Sequence, residues 1–321
     1  MTGKHVLALS GGVGGAKLAA GLAAVLAPED LTIVVNTGDD FEHLGLTICP
    51  DIDSVTYALA GLNDTVRGWG VKDETWQAMA MLRALGEADW FNLGDRDMGM
   101  HIARSWRLRA GDTLSQVTTR LTRELGIAHA IVPMSDAPVR TQVGTEQGWL
   151  DFQRYFVAEQ CRPVATGVRF DGVPGAAPSP AFAEALARDD LAAIVICPSN
   201  PYLSVDPILS LDGVREALVQ RRVPVVAVSP LVGGASIKGP LGKLLGELGR
   251  PVSNASIADH YSNHRGDLLD HLVIDEADAA DAGGLRERGL SVTVCPTVMC
   301  HAGDRERLAR EALIAAGIET G

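Results

Sequence analysis

The stretch that decides the fold is Leu9-Ser-Gly-Gly-Val-Gly-Gly-Ala-Lys-Leu-Ala-Ala-Gly21. It follows the apolar run His5–Leu9 and continues into small and apolar residues that read as a helix. Gly11, Gly12, Gly14 and Gly15 crowd one turn, and Lys17 comes two residues later. A glycine cluster between a strand and a helix lets backbone N–H groups approach a phosphate, and the helix N-terminus adds a favourable dipole. Neither standard fingerprint fits. Counting a P-loop from Gly11 puts Ala16 before Lys17 and Leu18 where a magnesium-binding hydroxyl belongs. Counting a dinucleotide turn from Gly12 puts Lys17 at the third glycine position. The turn predicts a phosphate without saying which one.

Further apolar runs follow the same form. Leu31–Val35 ends at Asn36, Ala192–Cys197 at Pro198-Ser199-Asn200, Val223–Val228 at Ser229, His271–Asp275 at Glu276 and Ser291–Cys295 at Pro296. Nearly continuous apolar runs predict strands buried on both faces, as in a parallel sheet. Helical patterns over residues 16–26, 210–220, 240–248 and 305–316 lie between them. The alternation predicts an α/β fold, Rossmann-like and doubly wound, with a mostly parallel sheet and its ligands at the carboxyl ends of the strands. The middle of the chain differs. Helices are expected over residues 73–85 and 112–125, exposed strands in Gly148–Val157 and Val164–Phe170, and a Gly/Pro loop before a short helix over 181–188. Residues 1–53 and 191–321 are read as the nucleotide-binding core. Residues 54–190 are read as an inserted helical and β segment covering the active-site edge, with a possible role in subunit contact.

The 321 residues, 46% hydrophobic and 21% charged, are enough for a sizeable core. The formal net charge of −12 argues against a nucleic-acid or anionic-membrane partner. Five cysteines without a C-x-x-C point to buried thiols in a reducing compartment. With no signal peptide or membrane span in sight, the expectation is a cytoplasmic protein.

After the second run, Asp39, Asp40, Asp51 and Asp53 fall within fifteen positions. Clustered carboxylates repel one another unless a cation or donors compensate, and magnesium takes one or two carboxylates with substrate phosphate oxygens. A metal set of Asp39, Asp40 and Asp53 is expected; the alternative is a turn followed by an N-cap pair. Leu93-Gly-Asp-Arg-Asp97 offers Asp95 and Arg96, with His101 and Arg104 shortly after. Arg96 suits a bidentate phosphate clamp, or else local ion pairs at a helix start. Pro198–Leu209 offers Ser199, Asn200 and Ser204 as donors after a buried strand.

Taken together, "SGGVGGAKL", "VNTGDD", "PDIDSVTYALAG", "WGVKDETW", "LGDRD", "PMSDAPVRT", "PSNPYLSVDPIL", "VSPLVGG" and "GPLGKL" resemble one family over nearly the whole chain: the 2-phospho-L-lactate transferases of coenzyme F-420 biosynthesis. The resemblance implies a dimeric, Mg2+-using enzyme. It would move a phospho-acid unit from a guanosine diphosphate-linked donor to the terminal hydroxyl of the deazaflavin Fo, releasing GMP. It also implies a deazaflavin contact at Asp53 and another just before "LGDRD", where some members carry lysine and this chain has Asn92. On this reading the donor lies among Gly11, Gly12, Gly14, Lys17, Asn36, Ser199, Asn200 and Ser204, with Asn92 and Asp95 near the acceptor. Asp53 is the first candidate for the base and Arg96 for stabilising equatorial charge. The alternative is a non-enzymatic UDP-sugar-binding regulator of the related gluconeogenesis-factor group, which shares the glycine turn. A nicotinamide oxidoreductase is poorly supported, because Asn36-Thr37 stand where a ribose-binding carboxylate belongs.

Overall fold

A computed structural model describes residues 4–220, 223–262 and 268–319. The chain begins with β1 (His5–Ser10), α1 (Gly12–Val25), β2 (Leu31–Val35), the hairpin β3 (Phe41–His43) and β4 (Leu46–Ile48), and α2 (Pro50–Leu59). There follow α3 (Gln77–Ala84), α4 (Asp95–Arg109), α5 (Leu114–Glu124) and β5 (Ala130–Pro133). A small antiparallel sheet of β6 (Arg140–Thr145), β7 (Gly148–Asp151) and β8 (Gly167–Asp171) precedes α6 (Pro180–Ala187) and β9 (Leu191–Ile196). The rest is α7 (Asp206–Leu209), α8 (Val214–Gln220), β10 (Val225–Val228), the hairpin β11 (Leu231–Val232) and β12 (Ala235–Ser236), α9 (Leu241–Glu247), α10 (Asn254–Ser262), β13 (His271–Ile274), α11 (Ala282–Glu287), β14 (Ser291–Val294) and α12 (Ala302–Ala315).

The seven-stranded sheet has the order β14-β13-β10-β9-β1-β2-β5, and every neighbouring pair is parallel. The chain starts inside the sheet, works out to β5, returns beside β1 as β9 and works out to β14. The winding reverses between β1 and β9, so a crevice opens at the carboxyl ends of these two strands. The doubly wound α/β architecture expected from the apolar runs is the one found. Val6–Leu9 and Ile33–Val35 are fully buried, because both faces are covered. On one face α1, α2 and α12 share a core with the sheet; on the other, α6 to α10 and the small sheet share a second core.

Two details depart from the sequence reading. The edge strand β5 comes from within residues 54–190, so that segment contributes to the main sheet as well as covering it. The expected strand over Gly148–Val157 stops at Asp151, and Arg154–Ala158 form a wide helical turn. Phe152 and Tyr155 are both buried there, and Phe152 stacks on Phe156. Side chains three and four apart meet only on a helical backbone.

Candidate active site

At the crevice, α1 starts with Gly12 at φ 67°, a conformation that favours glycine. The Gly11 N–H donates to Ser199 Oγ (3.0 Å), and that hydroxyl donates back to the Gly11 carbonyl (2.8 Å). The Gly12 N–H donates to Asp51 Oδ1 (2.7 Å). A Cβ on Gly11 would stand 2.6 Å from Ser204 Cβ, and one on Gly14 would stand 2.5 Å from the Pro198 carbonyl oxygen. The glycines therefore let α1 press against the loop after β9, and the first free N–H of the helix holds one of the protein's own carboxylates. Asn200 shapes that loop: its Oδ1 accepts from the Tyr202 and Leu203 N–H groups and turns the chain so that Ser204 meets Gly11. Lys17 faces the α12 side, where its ammonium donates to the Met299 carbonyl (2.7 Å). Burial, with the charges of Lys238 and Arg305, lowers its pKa.

Asn36 ends β2 and ties the carboxylate loops together. Its amide donates to Asp51 Oδ2 (2.9 Å), and its carbonyl accepts from the Gly38 N–H (2.8 Å). The turn behind it buries Asp39 and Asp40, and one oxygen of each, Oδ1, has no hydrogen-bond partner. Thr37 Oγ1 and Thr141 Oγ1, also buried, lack partners too. Four of the thirteen unpaired buried side-chain polar atoms among the described residues thus gather around this one turn, a concentration that suits a ligand. Burial pushes Asp40 up to about 7, partly offset by Arg140. Burial also pushes Asp51 up to about 6 against the pull of Asn36 and Gly12. Asp39 is raised as well, by burial and then by the Asp51 charge. Carboxylates held this close and this dry are paired with a cation or else take up protons. Free oxygens on two consecutive buried carboxylates suit Mg2+, which needs few protein ligands.

Asp53, one helical turn into α2, has both oxygens on Arg104 of α4. Arg104 Nη1 donates to Oδ2 (3.1 Å) and Nη2 to Oδ1. His101 and Asp97, one and two turns earlier on α4, stand next to them, and the Tyr57 hydroxyl donates to Asp97 Oδ1 (2.6 Å). Asp53, Asp97 and His101 offer ligand atoms within 4.8 Å of one another. The guanidinium of Arg104 supplies the positive charge there.

The other predicted residues lie apart from both groups. Asp95 accepts from Thr75 Oγ1, Gln77 N and Ala78 N, so it caps α3. Exposed Arg96 donates from Nη1 to the Lys72 carbonyl (2.8 Å), and its N–H donates to Glu74 Oε2 (2.9 Å). Asn92, also exposed, accepts from Arg83 (2.6 Å). The structure thus gathers Gly11, Gly12, Gly14, Asn36, Asp39, Asp40, Ser199 and Ser204 at one edge. It puts Asp53 on the insertion side and leaves Lys17, Asn92, Asp95 and Arg96 engaged elsewhere. Sequence reasoning offered Asp51, which joins the glycine turn to Asn36, only as one of an N-cap pair and Asp97 only as a carboxylate flanking Arg96, and left His101 and Arg104 without a role. Asp97, His101 and Arg104 had a readable signal: spacings of four and three place them on one helix face.

A sequence profile of the family described as 2-phospho-L-lactate transferase CofD matches residues 6–296. A phosphoenolpyruvate transferase of Kitasatospora aureofaciens is 38% identical over 315 residues, covering 96% of this chain and 97% of that one. A 2-phospho-L-lactate transferase of Methanosarcina mazei is 38% identical over 304 residues, covering 95% and 98%. Among solved structures, a UPF0052 family protein of Bacillus halodurans superposes with a TM-score of 0.63 at 17% identity, over 98% of this chain and 99% of that one. At that identity the last likeness speaks for the fold alone. Sequence match over nearly the full length, together with the crevice just described, makes this chain a member of the 2-phospho-L-lactate transferase CofD family, a family of transferases.

Proposed function

We propose that the protein transfers a phospho-acid unit from a guanosine diphosphate-linked donor to the terminal hydroxyl of the deazaflavin Fo, forming a phosphodiester and releasing GMP, as a step in coenzyme F-420 biosynthesis. The unit is 2-phospho-L-lactate or a phosphoenolpyruvate or phosphoglycerate equivalent, since relatives named for two of these acids are equally similar. The observation that carries the reading is the pair of buried, unpartnered oxygens on Asp39 and Asp40 at the switch point. A sugar-nucleotide regulator has no use for a catalytic cation, and the 38% identical relatives are named as transferases.

The donor diphosphate lies across the crevice between the turn at Gly11–Gly14 and the loop at Ser199–Ser204. Asp39 and Asp40 are the residues that would hold Mg2+, with the Asn36 amide beside Asp39. When bound, Mg2+ neutralises charge on the phosphate oxygens. Asp53 leaves the expected metal set, because the Arg104 fork lies against both its oxygens. The lone pair that each oxygen keeps accepts from the Fo hydroxyl, orients it for in-line attack and takes its proton as the new P–O bond forms and the phosphoanhydride bond to GMP breaks. Positioning and charge stabilisation carry most of the rate in such transfers. The proposal includes a homodimer; Met81 on α3, Leu85 just after it, and Ile102 and Trp106 on α4 are exposed apolar residues. No described helix is long and apolar enough to cross a membrane.

The test is a mass-spectrometric endpoint assay with purified protein, Mg2+, Fo and each of the three guanosine-linked donors. The expected result is a deazaflavin heavier by one phospho-acid unit, with GMP released. No product from any donor, with Fo fluorescence unchanged on titration, would leave the UDP-sugar regulator as the better reading.

A further inference from the structure

We propose that Arg104, braced by His101, is a positioning residue that sets the Asp53 carboxylate for the acceptor; the inference rests on the transfer reading above. Arg104 is one of the largest fully buried side chains in the protein, and three elements converge on it. Its fork grips Asp53 at the start of α2. The same Nη1 reaches the Thr47 carbonyl (3.3 Å) on β4 and His101 Nδ1 (3.2 Å) on its own helix. A guanidinium only donates, so Nδ1 accepts and the ring proton sits on Nε2. Nε2 in turn stands 3.3 Å from Asp97 Oδ1, which the Tyr57 hydroxyl holds from the other side. The His101 ring thus packs between the Arg104 guanidinium and the Asp97–Tyr57 pair, and the two Nη1 protons are shared among three acceptors.

A purely structural role explains this arrangement poorly. Burying an ion pair is costly, and an apolar pair of similar size is often as stable or more so. What a planar fork provides is geometry. It takes one lone pair of each Asp53 oxygen and leaves each oxygen a second one for an incoming hydroxyl. The insertion helix α4 thereby links the acceptor side of the site to the core.

The experiment compares wild type with Arg104→Lys, Arg104→Met and the double variant Arg104→Met/Asp53→Leu. It measures melting temperature, kcat, KM for Fo and KM for the donor, and Fo binding by fluorescence titration. Arg104→Lys keeps a charge but loses the fork. It is expected to raise the Fo KM and Kd about ten-fold and lower kcat by about 10²-fold, with the donor KM unchanged. Arg104→Met is expected to lower the melting temperature, and the double variant to recover it without recovering transfer. Fo KM and Kd unchanged in Arg104→Lys, or both KM values rising in step with lost stability, would overturn the inference. Absence of transfer by the wild type itself would strike the function instead, and the Fo titration would still decide the positioning claim.

Discussion

Single residues at the crevice trade stability for function. Asp40 is the clearest case. Its carboxyl is pushed up to about 7 in the fold, above its ordinary value of 3.8. The charged form is therefore disfavoured in the folded state. Stability is complete below about pH 4 and is lost as pH rises toward 7. Asp40→Asn should therefore raise the melting temperature of the metal-free protein at pH 8, by on the order of 2–4 kcal/mol of stability, and change little near pH 4. The same variant should lose most of its transfer activity. Melting curves at the two pH values check the first statement and the endpoint assay the second. Gly14 makes the opposite case, since its contribution is space. Gly14→Ala puts a methyl against the Pro198 carbonyl, so α1 must back away from the β9 loop. The expected cost is about 1–3 kcal/mol in denaturant unfolding, with a higher donor KM.

At the scale of elements, the insertion helices are held by local chemistry that sequence largely specifies. Helix α5 starts with a capping box in which Thr113 Oγ1 accepts from the Gln116 N–H and Gln116 Oε1 accepts from the Thr113 N–H. Thr113→Ala should lower stability by about 1 kcal/mol, measured by urea titration, and leave both substrate KM values unchanged. Helix α4 shows where such local reading stops. Its charged start, Asp95-Arg96-Asp97, is visible in the sequence as a site candidate. Only packing assigns Asp95 to the cap of α3, Arg96 to a loop carbonyl and Asp97 to the buried Tyr57–His101 chain. Three neighbouring residues on a helix point in three directions, and sequence order does not say which one faces the crevice.

For the whole molecule, the doubly wound sheet brings two loops distant in sequence onto one edge and leaves carboxylates there short of partners. A cation should therefore stabilise the entire fold by mass action. Millimolar Mg2+ is expected to raise the melting temperature more at pH 8 than at pH 5.5, because Asp39 and Asp40 must be deprotonated to bind it. Asp39→Asn should abolish the shift. An equal shift at both pH values, or one that survives Asp39→Asn, would move the cation elsewhere.

The sequence by itself determined six of the seven strands, because residues buried on both faces leave long apolar runs that no exposed element imitates. It missed β5, an edge strand in which only Ile131 and Val132 make a β-branched run before Pro133. It determined the family as well, since an ordered series of motifs over the whole chain carries more information than any one of them. It also brought Asp39, Asp40 and Asn36 into the site, since they follow a buried strand directly. Only the tertiary structure decided what each polar residue does. Asp51 and Asp53 lie two positions apart, yet one holds the start of α1 and the other the guanidinium of Arg104. The reason is physical: burial is recorded locally along the chain, whereas a hydrogen-bond partner 39 or 51 residues away is fixed only when the sheet and its insertion close on each other.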